Sequence, residues 1–170
     1  MQLDRGLHSV DEFWLIARRG SRLKEIASSM QHTVKILPLD LTNEADMTVL
    51  TESLAEEKPV VRMLINCAGY GMMGDFTAVP IKEQTGEVDL NCRALLEVTY
   101  GCLPYMRAKS RIIQLASSAA FLPQPGFSVY AATKSFVLSF SKALRAELKE
   151  RQIYVTAVCP GPVKTEFFEV

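Results

Sequence analysis

Residues 112–134 read I-I-Q-L-A-S-S-A-A-F-L-P-Q-P-G-F-S-V-Y-A-A-T-K. The stretch opens with an apolar run, residues 111–115, of the length and composition of a buried strand. It closes at the start of a long amphipathic pattern, residues 129–150. There Phe136, Val137, Phe140, Ala143, Leu144 and Leu148 recur at helical spacing and are expected in the core. Between the two, Pro123, Pro125 and Gly126 make the loop irregular, as a site-forming loop would be.

The same alternation runs through the rest of the chain. Residues 13–17, 34–39, 60–65 and 153–158 are short apolar runs that read as strands. Ser21 is placed to cap a helix carrying Leu23, Ile26 and Ala27. A second helix carries Met47, Leu50 and Leu54 and ends before Pro59. Residues 80–109 form a long helical pattern with a break expected near Asn91, with Leu90, Ala94, Leu95, Val98, Cys102 and Met106 on its apolar face and Pro104 kinking its last turns. Residues 1–8 look like a helix tail stopped near Gly6. Strands alternating with helices predict an α/β fold: a parallel sheet covered on both faces, with ligands at the carboxyl ends of the strands.

Composition narrows the function classes. Of 170 residues, nearly half are apolar and 22% are charged, and the formal net charge is zero. That is an ordinary globular balance, with no basic field for nucleic acid or an anionic membrane. Cys67, Cys92, Cys102 and Cys159 are scattered, without a C-x-x-C pair. This argues against a metal site or a disulfide framework and for a reducing, cytoplasmic setting. No apolar run reaches the ~18 residues a membrane span needs.

The chemistry-bearing residues cluster around the opening stretch. Tyr130 and Lys134 stand four apart, on one face of a helix. A phenol has a pKa near 10, and a fixed ammonium close by would lower it. Ser117 follows a strand and would face this pair, where a hydroxyl can polarise a carbonyl. Ser117 lies thirteen residues before Tyr130 and Ser118 one fewer, and the residues by themselves leave both serines as candidates. Asn66-Cys67-Ala68-Gly69 closes the third strand with small residues that let a backbone approach a flat ligand. Asn91 sits inside a helical pattern, where an amide is a poor choice unless it marks a kink or a satisfied interior contact. Pro160-Gly161-Pro162 ends the last strand.

Asn66-Cys67-Ala68-Gly69, Asn91, Ser117, Tyr130-x3-Lys134 and Pro160-Gly161, in this order and at these spacings, resemble the short-chain dehydrogenase/reductase family with a Ser-Tyr-Lys-Asn site. The resemblance covers nearly the whole chain. It implies a Rossmann-type doubly wound parallel sheet and an oxidoreductase that moves hydride between a nicotinamide cofactor and an alcohol/carbonyl pair. Tyr130 would be the general acid/base and Ser117 would orient the carbonyl oxygen. Lys134 would lower the Tyr pKa and bond the nicotinamide ribose, and Asn91 would hold a water leading to Lys134.

The cofactor would also meet Asn66, Ala68, Gly69, Tyr130, Pro160, Gly161, Val163 and Thr165. Arg18 and Arg19 stand where a basic residue suits the 2′-phosphate of NADP rather than the ribose hydroxyls of NAD. Asp40 and Leu41 would lie near the adenine. Partners would be a small-molecule substrate and, through the two long helices, a homodimer or homotetramer.

The family's first strand and its turn T-G-x-x-x-G-x-G, which meets the pyrophosphate, have no counterpart here, nor does its last strand. The chain therefore reads as a single partial domain, residues 1–170. In the family's strand order, 3-2-1-4-5-6-7, the absent strand lies between strands 2 and 4. The expected sheet is thus interrupted, with the strand at Phe13 not paired onto the strand at Val60. The alternative to an enzyme is a catalytically inactive fragment or an association module of that family.

Overall fold

The computed structural model describes residues 10–162; the expected helix tail at residues 1–8 and the cofactor positions Val163 and Thr165 lie outside them. The chain divides into two compact units, one up to Glu56 and one from Glu57 on.

The first unit is built from β1 (Glu12–Ile16), α1 (Gly20–Ser28), β2 (Thr33–Leu37) and α2 (Glu44–Glu57). The two strands pair in parallel, Phe13 with Val34 and Leu15 with Ile36. Leu23, Leu37, Leu39, Met47, Leu50 and Leu54 are its buried apolar residues among those described. On the surface, Lys35 Nζ lies 4.1 Å from the centre of the Trp14 ring, a cation–π contact.

Helix α1 begins two residues earlier than expected. Arg19 is its N-cap, without a side-chain bond, so Ser21 falls inside the first turn and does not cap. The cap that sequence reading missed is on α2. Asn43 Oδ1 accepts the backbone N–H groups of Ala45 at 2.9 Å and Asp46 at 3.2 Å, satisfying two donors that a helix start leaves open.

The second unit holds β3 (Val61–Asn66), α3 (Ile81–Val88), a π-turn (Asp89–Ala94), α4 (Leu95–Cys102), β4 (Met106–Leu115), α5 (Ser128–Glu147) and β5 (Tyr154–Val158). Its three strands are parallel in the order β3-β4-β5. Among the described residues no ladder joins these strands to β1 and β2, in line with the interrupted sheet. Buried Met106, Ile112, Leu144, Leu148, Ile153 and Val155 make the main core cluster, and Leu95, Ala116 and Val137 a second one. On α5, Val137, Leu144 and Leu148 are buried as expected, whereas Phe136 is 38% exposed and Ala143 is on the surface.

The helix expected over residues 80–109 is interrupted near Asn91, as its sequence suggested, and is corrected at its end. Its middle widens into the π-turn around Asn91. Its end is not helical: Leu103–Tyr105 tightens into a 3-10 turn with Pro104 in it, and β4 starts at Met106. Proline cannot donate to the helical ladder, and burial of Met106 in the β4–β5 core rewards the extended form. The early part of β4 is bulged, since Val61 pairs with Met106 while Met63 pairs with Arg111. Lys109 takes the left-handed conformation within that bulge, at φ 71°. Among the described residues no helix is long and apolar enough to cross a membrane.

Candidate active site

The carboxyl ends of β3, β4 and β5 converge on the first turns of α5. Ser117, just past β4, caps the 3-10 turn Ser118–Phe121 by accepting the Ala119 N–H at 3.2 Å. The same hydroxyl is hydrogen-bonded with the Tyr130 phenol. Ser117 is buried whereas Ser118 is exposed, so of the two serines it is Ser117 that reaches the tyrosine. The Ser118 N–H donates to the Pro160 carbonyl at 2.9 Å, which brings the Pro160-Gly161 turn beside the serine loop.

Tyr130 is held by its neighbours' shapes. Its ring stacks on Phe127, with centres 4.2 Å apart and planes at 20°. The loop after β3 lies on the same rings. A Cβ at Gly71 would stand 2.5 Å from Tyr130 Cδ2 and 2.8 Å from Phe127 Cε2, so only glycine fits this approach. Gly69, earlier in the same loop, is equally confined: a Cβ there would come within 2.7 Å of Asn91 Oδ1 and 3.4 Å of Lys134 Nζ.

Lys134 lies one turn on from Tyr130, 4% exposed. Its ammonium donates to the Leu115 carbonyl at 2.9 Å and sits 5.6 Å from the centre of the Tyr130 ring. The expectation that it lowers the phenol's pKa is not met. Burial pushes Tyr130 above its ordinary value, the Ser117 hydrogen bond opposes this, and the charge of Glu87 adds to the rise. Burial likewise holds Lys134 below its ordinary value, with Cys92 and Cys67 opposing. Desolvation disfavours the charged form of each group and is the largest cause for both.

Asn91 is a satisfied interior amide in the π-turn, one of the two readings its sequence position left open. Its Nδ2 donates to the Tyr70 carbonyl at 2.8 Å and to Thr133 Oγ1 at 3.0 Å, and its Oδ1 accepts the Tyr70 N–H at 3.1 Å. Thr133 in turn donates to the Tyr130 carbonyl at 2.8 Å. The amide therefore ties the loop after β3 to the turn of α5 that carries Tyr130 and Lys134. Single π-turns inside helices are frequent at functional sites.

Asn66 turns its side chain inward. Its Nδ2 donates to Thr99 Oγ1 and to Gln114 Oε1, each at 2.9 Å, and Gln114 Nε2 donates to Thr99 Oγ1 at 3.2 Å. With both Nδ2 hydrogens spent on this buried network, Asn66 has only acceptors left in its side chain. Cys67 and Ala68, beyond it, are exposed.

In the first unit, Arg18 and Arg19 are exposed just past the carboxyl end of β1. Asp40 follows β2 and accepts the Thr42 N–H at 3.0 Å and the Thr42 hydroxyl at 2.7 Å. Those two bonds hold its carboxyl below the ordinary value, and the Arg18 charge adds to the effect. Leu41 is half-buried beside it.

Sequence reading missed four polar residues: Glu87, Thr99, Gln114 and Thr133. All four are buried. Only Thr133 carried a hint, its place directly before Lys134.

Comparison with known proteins accords with this geometry. The family described as short chain dehydrogenase matches residues 9–170. Serine 3-dehydrogenase of Rhizobium radiobacter is 32% identical over 163 residues, covering 93% of this chain and 66% of the relative. The NADP-dependent 3-hydroxy acid dehydrogenase of Shigella flexneri is 34% identical over 157 residues, covering 90% and 63%. Among solved structures, a short-chain dehydrogenase from Sphingobium yanoikuyae in complex with NADPH superposes with a TM-score of 0.86 at 29% identity, covering 99% of this chain and 68% of that one. The chain thus spans about two thirds of the length of the relatives it matches. With a parallel α/β architecture, a serine–tyrosine contact at the end of β4, a lysine one turn along α5 and a family match over nearly all its length, the chain belongs to the short-chain dehydrogenases.

Proposed function

We propose that the site handles protons for an NADP-dependent oxidoreductase acting on an alcohol/carbonyl substrate. The observation that carries this reading is the Ser117–Tyr130 hydroxyl contact beside a buried Lys134. A phenol whose pKa lies above its ordinary value keeps its proton at neutral pH, which suits it to donate to a carbonyl oxygen during reduction. Ser117 Oγ orients that oxygen and stabilises charge developing on it. Lys134 would hold the nicotinamide ribose through its ammonium. Both Asn91 Nδ2 hydrogens are spent on Tyr70 and Thr133, whereas Oδ1 accepts one N–H and keeps a lone pair with which it would hold a water leading to Lys134.

The residues present fit a nicotinamide dinucleotide. Cys67 and Ala68 leave exposed, small-residue backbone past β3, Gly69 has no room for a Cβ, and the Pro160-Gly161 turn borders Ser118. Arg18 and Arg19 are forked cations suited to a 2′-phosphate, with Asp40 and Leu41 on the adenine side. NADP-bound relatives support the same choice over NAD. The bound nicotinamide supplies the hydride chemistry; the protein supplies geometry and proton transfer. The setting is cytoplasmic, and the helical faces bearing Leu96, Tyr100 and Phe136, which are 37%, 82% and 38% exposed, are the surfaces for pairing into a homodimer or homotetramer.

Two measurements test the reading. NADPH titrated into this chain should change its fluorescence at micromolar concentration; no change up to millimolar would leave an association module of the family. In the whole protein, Tyr130→Phe should lower turnover by about 10²- to 10⁴-fold; unchanged turnover would remove Tyr130 from the proton-transfer role.

A further inference from the structure

Glu87 stands out among the charged residues. It is on α3, 1% exposed, where carboxylates are almost never found without partners. One oxygen has a partner: Oε1 accepts the Met72 N–H at 2.6 Å. The other, Oε2, is buried with no hydrogen-bond partner among the described residues. Burial pushes this carboxyl above its ordinary range, the Met72 bond opposing.

Its surroundings lead to Tyr130 from two sides. Met72 follows Gly71, whose backbone lies on the Tyr130 ring. A small cavity beside Glu87 is lined by Met72, Gln84, Ser128 and Val129, the last two directly preceding Tyr130. That space is about one water molecule's worth.

We propose that Glu87 is a positioning residue of the site: one carboxylate oxygen holds the 70–74 loop on the Tyr130 ring, and the charge on the group acts on the phenol. The proposal rests on Tyr130 being the proton-transfer group, and it adds what sets that group's readiness.

The other titratable groups nearby are otherwise engaged. On the same helix Glu83 is exposed, and Asp89 is paired with Arg93 at 3.1 Å. From the loop, the Tyr70 phenol donates to the Glu83 carbonyl at 3.0 Å, and Asp75 is at the surface. From α5, Lys134 donates to the Leu115 carbonyl. That leaves Glu87 as the carboxylate whose charge raises Tyr130.

The test is NMR titration of the chain labelled with ¹³Cζ-tyrosine, with the Tyr130 signal assigned by Tyr130→Phe, together with amide exchange at Met72. Glu87→Gln keeps an acceptor for the Met72 N–H and removes the charge. Tyr130 should then titrate lower than in wild type, with Met72 protection retained. Glu87→Leu should lower the Tyr130 titration as well and speed Met72 exchange at least tenfold. An unchanged Tyr130 titration in Glu87→Gln would overturn the charge effect, and unchanged Met72 exchange in a folded Glu87→Leu would overturn the loop-holding role. If Glu87→Leu does not fold, Glu87→Asp provides the second arm: it retains a charge, so Tyr130 should titrate closer to wild type than in Glu87→Gln, and a match to Glu87→Gln would overturn the charge effect. These readouts need neither cofactor nor substrate, so they stand apart from whether Tyr130→Phe lowers turnover.

Discussion

Replacing Gly71 by alanine tests whether loop and ring meet as closely as described. The new Cβ would stand 2.5 Å from Tyr130 Cδ2, 2.8 Å from Tyr130 Cγ and 2.8 Å from Phe127 Cε2. All three are ring atoms, and the two rings are stacked on each other, so neither can swing aside like the end of a flexible chain. The loop has little freedom to lift either, since the next residue's N–H is bonded to buried Glu87. Overpacking of this kind costs about 1–3 kcal/mol. With a urea dependence of about 2 kcal/mol per molar, the unfolding midpoint of the second unit should fall by roughly 0.5–1.5 M.

Far-UV circular dichroism follows the transition, and the Tyr130 NMR signal reports the displaced ring. Gly161→Ala is the matched control: nothing lies within 4 Å of a Cβ there, and its φ is outside the left-handed region. It should be neutral or slightly stabilising. If Gly71→Ala left both the midpoint and the Tyr130 signal where the control leaves them, the loop would not rest on the ring, and the route from Glu87 to Tyr130 would lose one of its two supports.

The buried polar groups give three further outcomes. Asn91→Ala removes three hydrogen bonds and leaves the Tyr70 backbone and Thr133 without that amide, so stability should fall by about 2–4 kcal/mol, read by urea unfolding, with faster amide exchange at Tyr70. Gln114→Leu leaves the Asn66 amide with one partner fewer in a fully buried place and should cost about 1–3 kcal/mol in the same assay. Asp40, whose folded pKa lies below its ordinary value, contributes stability that is present above about pH 4 and lost as pH falls through the folded value. Asp40→Asn should flatten that acid limb in a series of unfolding curves between about pH 2 and 6.

Much of the architecture was legible because backbone periodicity leaves a trace in apolar spacing. All five strands appear within one or two residues of their expected places, apart from the start of β4. The Ser117, Tyr130 and Lys134 grouping was legible because the three residues, with Asn66-Cys67-Ala68-Gly69, Asn91 and Pro160-Gly161, match the order and spacing of the family they resemble; the four-residue step on one helix face brings only Tyr130 and Lys134 together. Glu87 was not legible. A glutamate between Gly86 and Val88 on an amphipathic helix reads as a solvated charge, and only the loop folded over it makes it a buried acid. Gln114 and Thr99 were hidden for the same reason, polar letters within apolar runs whose partners lie 48 and 33 residues from them in Asn66.

The sequence by itself determined the order of strands and helices, the parallel sheet they build, and which residue types meet at its carboxyl edge, since these follow from local periodicity and chain connectivity. Only the tertiary structure decided that residues 106–110 extend rather than coil, that Asn66 and Asn91 spend their amides inside, and that the phenol's pKa rises rather than falls. Each of these depends on desolvation and on contacts between segments far apart in the chain, which no local pattern records.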